Sequence, residues 1–193
     1  RLWPISRTLM PKQFVKLFSS EDKKQSLFQL TVNRNSKNCN TQYIVSNAEQ
    51  YFLALDQLEE LNKTNNKYLL EPVGRNTAPA IALACLDLPY DEIVLVTPSD
   101  HLIKDEKEYA KVLEKAKELA SEDNLVTFGI TPQFAETGFG YIEAEGLNVK
   151  AFHEKPNKQT AQEYVKQGNY YWNSGMFCFK AGIFLDELKT YSP

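Results

Sequence analysis

Short apolar runs alternate with longer stretches of helical periodicity through the first two thirds of the chain. The apolar runs cover residues 43–46, 68–70, 93–96 and 125–130. The helical stretches between them cover residues 49–61, 78–86 and 106–120. Strands that alternate with helices in this way predict βαβ units. We therefore predict an α/β fold with a mostly parallel mixed sheet and helices on both of its faces.

The pattern changes after residue 138. Shorter strand-like segments with polar alternation cover residues 140–143 and 149–152, a helical stretch covers 158–167, and a further strand covers 175–179. We interpret this part as an extension of the sheet that forms one wall of a cleft. In open α/β sheets, ligands bind beyond the C-terminal ends of the strands, and the motifs described below lie there.

The composition is that of an ordinary globular domain. The chain has 193 residues, of which 42% are hydrophobic and 24% charged, and its net charge is −3. This charge argues against a nucleic-acid-binding surface. No apolar run approaches the roughly 20 residues of a membrane span. Three widely separated cysteines without metal-ligand spacing are typical of a reducing compartment, so we expect a cytoplasmic protein.

The two ends of the chain look cut. It opens on Arg1 with no strand before it, and it stops at Pro193 soon after a helical pattern begins. We therefore expect residues 1–193 to form a single domain that is incomplete at both ends.

Three cations lie in a proline-containing segment near the start of the chain. Arg1, Arg7 and Lys12 are spaced around Pro4 and Pro11, which stiffen the backbone. Arginine presents a planar fork to two phosphate oxygens, and lysine presents a compact charge. The segment therefore suits a polyphosphate, although three such cations are also typical of a solvated surface loop.

A second motif covers residues 71–80 and reads Glu-Pro-Val-Gly-Arg-Asn-Thr-Ala-Pro-Ala. Gly74 relaxes the backbone, Asn76 or Thr77 can cap a helix, and Pro79 suits its first turn. A helix N-terminus favours an anion or the polar edge of a base. An ordinary capped helix, packed through its alanines, would show the same pattern.

Asp100 follows the apolar run at residues 93–96, which we expect to be a central parallel strand. Pro98 ends that strand, and Asp100 emerges at its C-terminal edge. A carboxylate in this place can hold Mg²⁺ against substrate phosphates, or it can cap the next helix. We expect His101 to be structural, because one histidine beside one aspartate is not a zinc site.

Three short motifs in the last third combine glycines with polar side chains. They cover residues 138–142 (Gly-Phe-Gly-Tyr-Ile), 152–156 (Phe-His-Glu-Lys-Pro) and 172–177 (Trp-Asn-Ser-Gly-Met-Phe). Glycines allow a ligand to approach the backbone closely. Taken singly, a Glu-Lys pair is usually solvated surface and Trp-Asn-Ser-Gly is usually a turn. Their presence together and in this order is the stronger evidence for a site.

Together these blocks resemble the guanylyltransferase domain of the mannose-1-phosphate guanylyltransferases, over essentially the whole chain. The longest matches are Arg-Leu-Trp-Pro-x-Ser-Arg with Pro-Lys-Gln-Phe, Glu-Pro-x-Gly-Arg-Asn-Thr-Ala-Pro-Ala, and Pro-Ser-Asp-His. The resemblance implies a Rossmann-like nucleotidyltransferase fold. It assigns catalysis to Arg1, Lys12 and Lys155, nucleotide binding to Arg75, Asn76 and Thr77, sugar-phosphate binding to Gly140, Tyr141, Glu154, Lys155 and Asn173, and metal binding to Asp100.

The implied reaction is in-line attack of mannose 1-phosphate on the α-phosphorus of GTP, giving GDP-mannose and pyrophosphate, with Mg²⁺ as cofactor and no covalent intermediate. A phosphate monoester has a second pKa near ~6, so the nucleophile is already anionic and needs no general base. The family's Gly-rich phosphate loop and its second metal-binding aspartate fall outside this chain. Many relatives also carry a downstream cupin domain with mannose-6-phosphate isomerase activity, which would make the full-length protein bifunctional.

Two other functions stay open. A pyrophosphorylase for UDP- or dTDP-sugars would use the same phosphate chemistry, although the Arg-Asn-Thr-Ala-Pro-Ala block argues against it. A non-catalytic nucleotide-sugar sensor would be expected to lose Lys12, Asp100 or Lys155, and all three are present. The expected partners are GTP and mannose 1-phosphate, without nucleic acid or membrane, and a homo-oligomer is left open.

Overall fold

The computed structural model describes residues 4–7, 9–20, 23–63, 66–71, 73–74 and 76–192. Its helices are α1 (Leu27–Asn35), α2 (Ala48–Glu59), α3 (Thr77–Cys85), α4 (Glu106–Ser121), α5 (Lys158–Gln167) and α6 (Ala181–Tyr191), with a short 3₁₀ helix at Lys12–Phe14. Its strands are β1 (Phe18–Ser20), β2 (Lys23–Gln25), β3 (Tyr43–Asn47), β4 (Lys67–Glu71), β5 (Ile93–Val96), β6 (Val126–Ile130), β7 (Tyr141–Glu145), β8 (Asn148–His153) and β9 (Tyr170–Lys180).

The largest sheet has five strands, and the long strand β9 lies inside it. On one side β9 pairs with β5 and β7, on the other side with β6, and β8 follows β7. Cys178 of β9, for example, has Leu95 and Val126 as its two partners. All of these pairings are antiparallel, so β5 and β6 run in the same direction with β9 between them.

The α/β class and the mixture of parallel and antiparallel pairing are confirmed, but fewer strand pairs are parallel than the sequence predicted. Among the described strands, only β3 and β4 pair in parallel, and β1 pairs with β2 as an antiparallel ribbon. The physical reason is β9, which inserts between two strands that a βαβ unit would otherwise make neighbours. Its 11 residues also exceed the predicted strand at residues 175–179.

Helices cover both faces of this sheet, as the sequence predicted. Side chains alternate along β9, so Met176 and Cys178 point to one face and Phe177 and Phe179 to the other. The first face packs against the apolar side of α4, which includes Leu113. The second face packs against α3 and α6. No helix in the described part of the chain is both long and apolar enough to cross a bilayer.

The cysteines in these layers behave as small core residues. Cys85 and Cys178 are each 1% exposed. Burial raises the pKa of both thiols to about 11, so they stay protonated at neutral pH. A protonated thiol is a poor nucleophile and a poor metal ligand, in agreement with the interpretation of these two residues as packing.

A second core forms around the 3₁₀ helix, α1 and α2. Phe14, Phe28 and Leu58 are buried there together, and the rings of Phe14 and Phe28 lie 5.2 Å apart. Helix α1 begins at a capping box in which Ser26 and Gln29 exchange side-chain and backbone hydrogen bonds. This core fixes the 3₁₀ helix, and with it Lys12, against the rest of the fold.

A cleft of about 510 Å³ separates the β3–β4 pair from the five-stranded sheet. Its walls include residues 43–46 of β3 and residues 94–97 at the end of β5. Because consecutive residues of β3 and of β5 line the cleft, it is bounded by the edges of these two strands and not by their faces. Its polar rim lies where β5 ends, and the candidate site is built around that rim.

Candidate functional site

Lys12 and Asp100 meet beside this cleft, each next in sequence to a residue that lines it (Gln13 and Ser99). The Nζ of Lys12 lies 2.5 Å from Oδ2 of Asp100, and their side chains are 44% and 27% exposed. Pro11 precedes the 3₁₀ helix that carries Lys12, and paired backbone hydrogen bonds between Arg7 and Met10 close the turn before it. Two residues that the motifs singled out separately therefore form one ion pair.

Asp100 does not cap a helix, so Lys12 is the partner that a ligand would have to displace from its carboxylate. The cap of α4 is Asp105, whose side chain accepts hydrogen bonds from the backbone N–H groups of Lys107 and Glu108. No cluster of three metal-ligating side chains occurs in the described residues. A single carboxylate of this kind still fits Mg²⁺, which is commonly held by one or two carboxylates together with substrate phosphates and water.

Beside Asp100, the surroundings of His101 favour the neutral form of its imidazole. Burial is the largest cause that lowers the pKa of His101, and the charges of Arg34 and Lys12 lower it further, while Asp100 acts in the opposite direction. A neutral imidazole adds no cation to the site. This agrees with the structural role expected from the sequence.

The N-terminus of α3 forms another part of the rim. Asn76 occupies the cap position with φ of 99°, and its side chain makes no capping hydrogen bond, although the sequence suggested that it could cap. A non-glycine residue with this backbone conformation is strained. Gln13, Asn76 and Thr77 line the cleft together with Ser99. Arg75 and Arg1, two of the predicted site residues, lie outside the described residues.

Gly140, just before β7, and Glu154, just after β8, converge with Asn173 of β9. The backbone N–H of Asn173 donates to the carbonyl oxygen of Gly140 at 2.8 Å. A Cβ at position 140 would lie 2.6 Å from Cζ of Phe152 and 3.1 Å from Oε2 of Glu154. A side chain at position 140 would therefore displace the Phe152 ring and crowd the Glu154 carboxylate, which glycine leaves close to the backbone.

Lys155 completes this group with an unusual backbone. Its φ is 42°, in the left-handed region, and its Nζ lies 2.6 Å from Oε1 of Glu154. Both side chains are well exposed. A solvated pair of this kind contributes little to stability, and the strained backbone that presents it marks the position as a candidate for ligand binding.

Tyr141 differs from the other predicted residues of this group. Its side chain is fully buried, and its hydroxyl donates to the carbonyl oxygen of Glu136 and accepts from the backbone N–H of the same residue. The ring therefore anchors the segment that leads into β7. A contact between position 141 and a ligand would have to come from the backbone.

The group around Gly140 and the segment that carries Asp100 contact each other through β9. Gly175, with φ of +72°, lies next to Pro98, because a Cβ at position 175 would be 3.6 Å from Cγ of Pro98. The side chain of Asn173 accepts a hydrogen bond from the backbone N–H of Gly175 at 3.1 Å. The part of β9 that carries Asn173 and Gly175 is thus packed against the segment that carries Asp100.

Sequence reasoning missed α1 and the buried polar residues at its end. Arg34 and Asn35 are buried near the site, and Asn35 donates to Oγ1 of Thr97 at 3.0 Å. The spacing of Ser26 and Gln29 is a capping-box signal that could have located the start of the helix. Nothing in the local sequence singles out Arg34 or Asn35, since both look like ordinary polar positions of a helix.

Comparison with known proteins gives consistent results along the whole chain. The nucleotidyl transferase family model matches residues 1–193. A mannose-1-phosphate guanylyltransferase of Salmonella montevideo is 46% identical over 203 residues, which cover 98% of this chain and 42% of that protein. The chain spans less than half the length of the curated relatives it matches.

Two solved structures share the fold at substantial sequence identity. A Helicobacter pylori protein described as mannose-6-phosphate isomerase is 48% identical with a TM-score of 0.89, covering 97% of this chain and 72% of that one. A Thermus thermophilus protein described as mannose-1-phosphate geranyltransferase is 32% identical with a TM-score of 0.85, covering 97% of this chain and 56% of that one.

Proposed function

We propose, because this chain belongs to the nucleotidyl transferase family, that it carries the catalytic part of an enzyme that transfers GMP from GTP to mannose 1-phosphate. The products would be GDP-mannose and pyrophosphate. The observation that carries the proposal is the Lys12–Asp100 ion pair after the end of β5, beside the part of β9 with Asn173 and Gly175. The mannose-1-phosphate guanylyltransferases that match along the whole chain support the choice of substrates.

Asp100 is the residue that would hold the metal. Nucleotidyltransferases generally use a divalent metal, and Mg²⁺ suits a hard carboxylate oxygen at the end of a strand. Bound there, Mg²⁺ would neutralise charge on the phosphates of GTP. Asp100 is partly buried, which strengthens its attraction for a cation compared with a fully solvated carboxylate.

Lys12 would contact the phosphates of GTP once a metal binds Asp100. Its side chain is half exposed and sits on a turn fixed by Pro11 and by the core around Phe14. A short movement of the flexible stem would bring its ammonium from the carboxylate to a phosphate oxygen. Arg1 and Arg75 would add further cations on the basis of the family resemblance.

The group around Gly140 would bind the sugar phosphate. The carboxylate of Glu154 can accept hydrogen bonds from sugar hydroxyls, and the ammonium of Lys155 can neutralise the phosphate. Asn173 would contribute polar contacts from the neighbouring strand β9. The attacking phosphate is already ionised at neutral pH, so these residues need only position it and offset its charge.

Replacing Lys155 with alanine should raise the KM for mannose 1-phosphate about tenfold and leave the affinity for GTP nearly unchanged. The reason is that a charge-assisted contact to the sugar phosphate is lost, while the nucleotide is held elsewhere. Steady-state kinetics with each substrate varied in turn would measure both effects. Lys150→Ala is the matched control, because Lys150 also lies at β8 but pairs with Glu145 on the surface. Equal loss for both substrates would contradict the assignment of Lys155.

The proposed reaction is tested by pyrophosphate release from the full-length protein with mannose 1-phosphate and Mg²⁺, comparing GTP with UTP, dTTP and ATP. Selective release with GTP is the expected result. Selective release with another nucleotide would overturn the choice of base but leave the phosphate chemistry. Binding of nucleotide without any release would overturn the enzymatic proposal and favour a sensor.

A further inference from the structure

A chain of buried hydrogen bonds links α1 and α4 to the end of β5. The hydroxyl of Tyr109 donates to Oδ1 of Asn35 at 2.8 Å, and Nδ2 of Asn35 donates to Oγ1 of Thr97 at 3.0 Å. Tyr109 is 8% exposed and Asn35 is 6% exposed. Thr97 is the first residue after β5, three positions before Asp100.

Arg34 lies against the same chain of hydrogen bonds. Its guanidinium is 5.3 Å from the centre of the Tyr109 ring and donates to Oγ1 of Thr31 at 3.1 Å. Arg34 is 3% exposed, makes no ion pair with a carboxylate in the described ranges, and leaves its Nε without a hydrogen-bond partner. Burying a cation this way costs free energy that apolar side chains would not. Packing alone therefore does not explain why Arg34 is buried beside Asn35 and Tyr109.

We propose that Asn35 is a positioning residue for the metal site: by holding Thr97, it fixes the segment of residues 97–100 that presents the Asp100 carboxylate. The inference deepens the proposed function and rests on Asp100 as the metal-binding residue. Metal sites lose affinity when the groups that orient their ligands are removed. The segment lies outside the strand ladder, so side chains must hold it in place.

Among the described residues, a hydrogen bond and an ion pair hold side chains of this segment, and they differ in what happens when ligands bind. A metal that binds the Asp100 carboxylate would compete directly with the Lys12–Asp100 ion pair. The Asn35–Thr97 hydrogen bond involves neither the carboxylate nor the lysine, so it can stay intact. It is therefore the contact that would keep the geometry of residues 97–100 in the liganded state.

The test is the affinity of the full-length protein for Mn²⁺ alone, measured by electron paramagnetic resonance. Thr97→Val keeps the β-branched shape and removes the acceptor, and it should raise the Kd for Mn²⁺ about tenfold. Thr97→Ser keeps a hydroxyl and should restore nearly normal affinity. Asn35→Leu combined with Thr97→Val should lose little more than either alone, since both remove the same contact.

Ser36→Ala is the control, because it removes hydrogen bonds to Asn33 and from Lys63 at the end of the same helix, and neither reaches Thr97. It should leave the Kd for Mn²⁺ unchanged. A normal Kd for Thr97→Val, alongside a raised Kd for Asp100→Asn, would overturn the role of Asn35 and leave the metal site standing. A normal Kd for Asp100→Asn would overturn the metal site itself, and the role of Asn35 with it.

Discussion

Replacing Lys12 with glutamine should lower kcat by about two to three orders of magnitude and, at the same time, tighten binding of Mn²⁺ to the free enzyme about fivefold. The loss follows from removing a positive charge aimed at the phosphates where negative charge develops. The gain follows from removing the ammonium that lies 2.5 Å from Asp100 and competes with the metal. A partly exposed ion pair is worth at most about 1 kcal/mol, which corresponds to that factor of five.

A lower kcat combined with tighter Mn²⁺ binding is the result expected if Lys12 both assists catalysis and competes with the metal for Asp100. Steady-state kinetics give kcat, and a titration with Mn²⁺ followed by electron paramagnetic resonance gives the affinity. Lys16→Gln is the matched control, because Lys16 lies on the same segment but pairs with Glu60 at 2.6 Å, away from Asp100. Unchanged affinity for Mn²⁺ in Lys12→Gln would show that Lys12 does not compete for the carboxylate.

Replacing Leu113 with alanine should lower the free energy of unfolding by about 2 to 5 kcal/mol. Leu113 is 1% exposed and packs with Tyr109 and Met176 between α4 and the sheet. Removing its side chain leaves a cavity under β9 that the surrounding strands cannot fill by relaxing. This loss is large compared with the total stability of about 5 to 15 kcal/mol of a typical domain.

Chemical denaturation followed by circular dichroism would measure this loss. The neighbouring Val112 on the same helix is 44% exposed, so Val112→Ala is the matched control and should change the free energy of unfolding by less than about 0.5 kcal/mol. Similar losses for both variants would mean that the packing of α4 against β9 contributes much less than its burial indicates.

Periodicity was sufficient to predict the helices and strands between residues 43 and 130, since each is long enough to show its period. It could not predict the position of β9. A strand near the end of the chain can add to either edge of a sheet or insert within it, and the local pattern of apolar residues is the same in each case. The difference lies in contacts such as Cys178 with Leu95, which join distant parts of the chain.

The candidate site was predictable to the extent that it consists of contiguous motifs. Gly140, Glu154 and Asn173 come together because their strands are neighbours, and the motifs already contained them. Asn35 belongs to no motif, since its role depends on a single hydrogen bond to Thr97 across the fold. Tyr141 is the opposite case, because it belongs to a motif but its hydroxyl donates a hydrogen bond to Glu136 within the fold.

The position of β9 also affects how the protein can fold during synthesis. β5 and β6 are both complete by residue 130, but they join the same sheet only through residues 170–180. Until β9 has left the ribosome, the edges of both strands stay open to wrong partners, which is a known route to aggregation. Contacts over such long sequence separations also slow folding. Formation of β9 is thus the step on which the joining of β5 and β6 around the site depends.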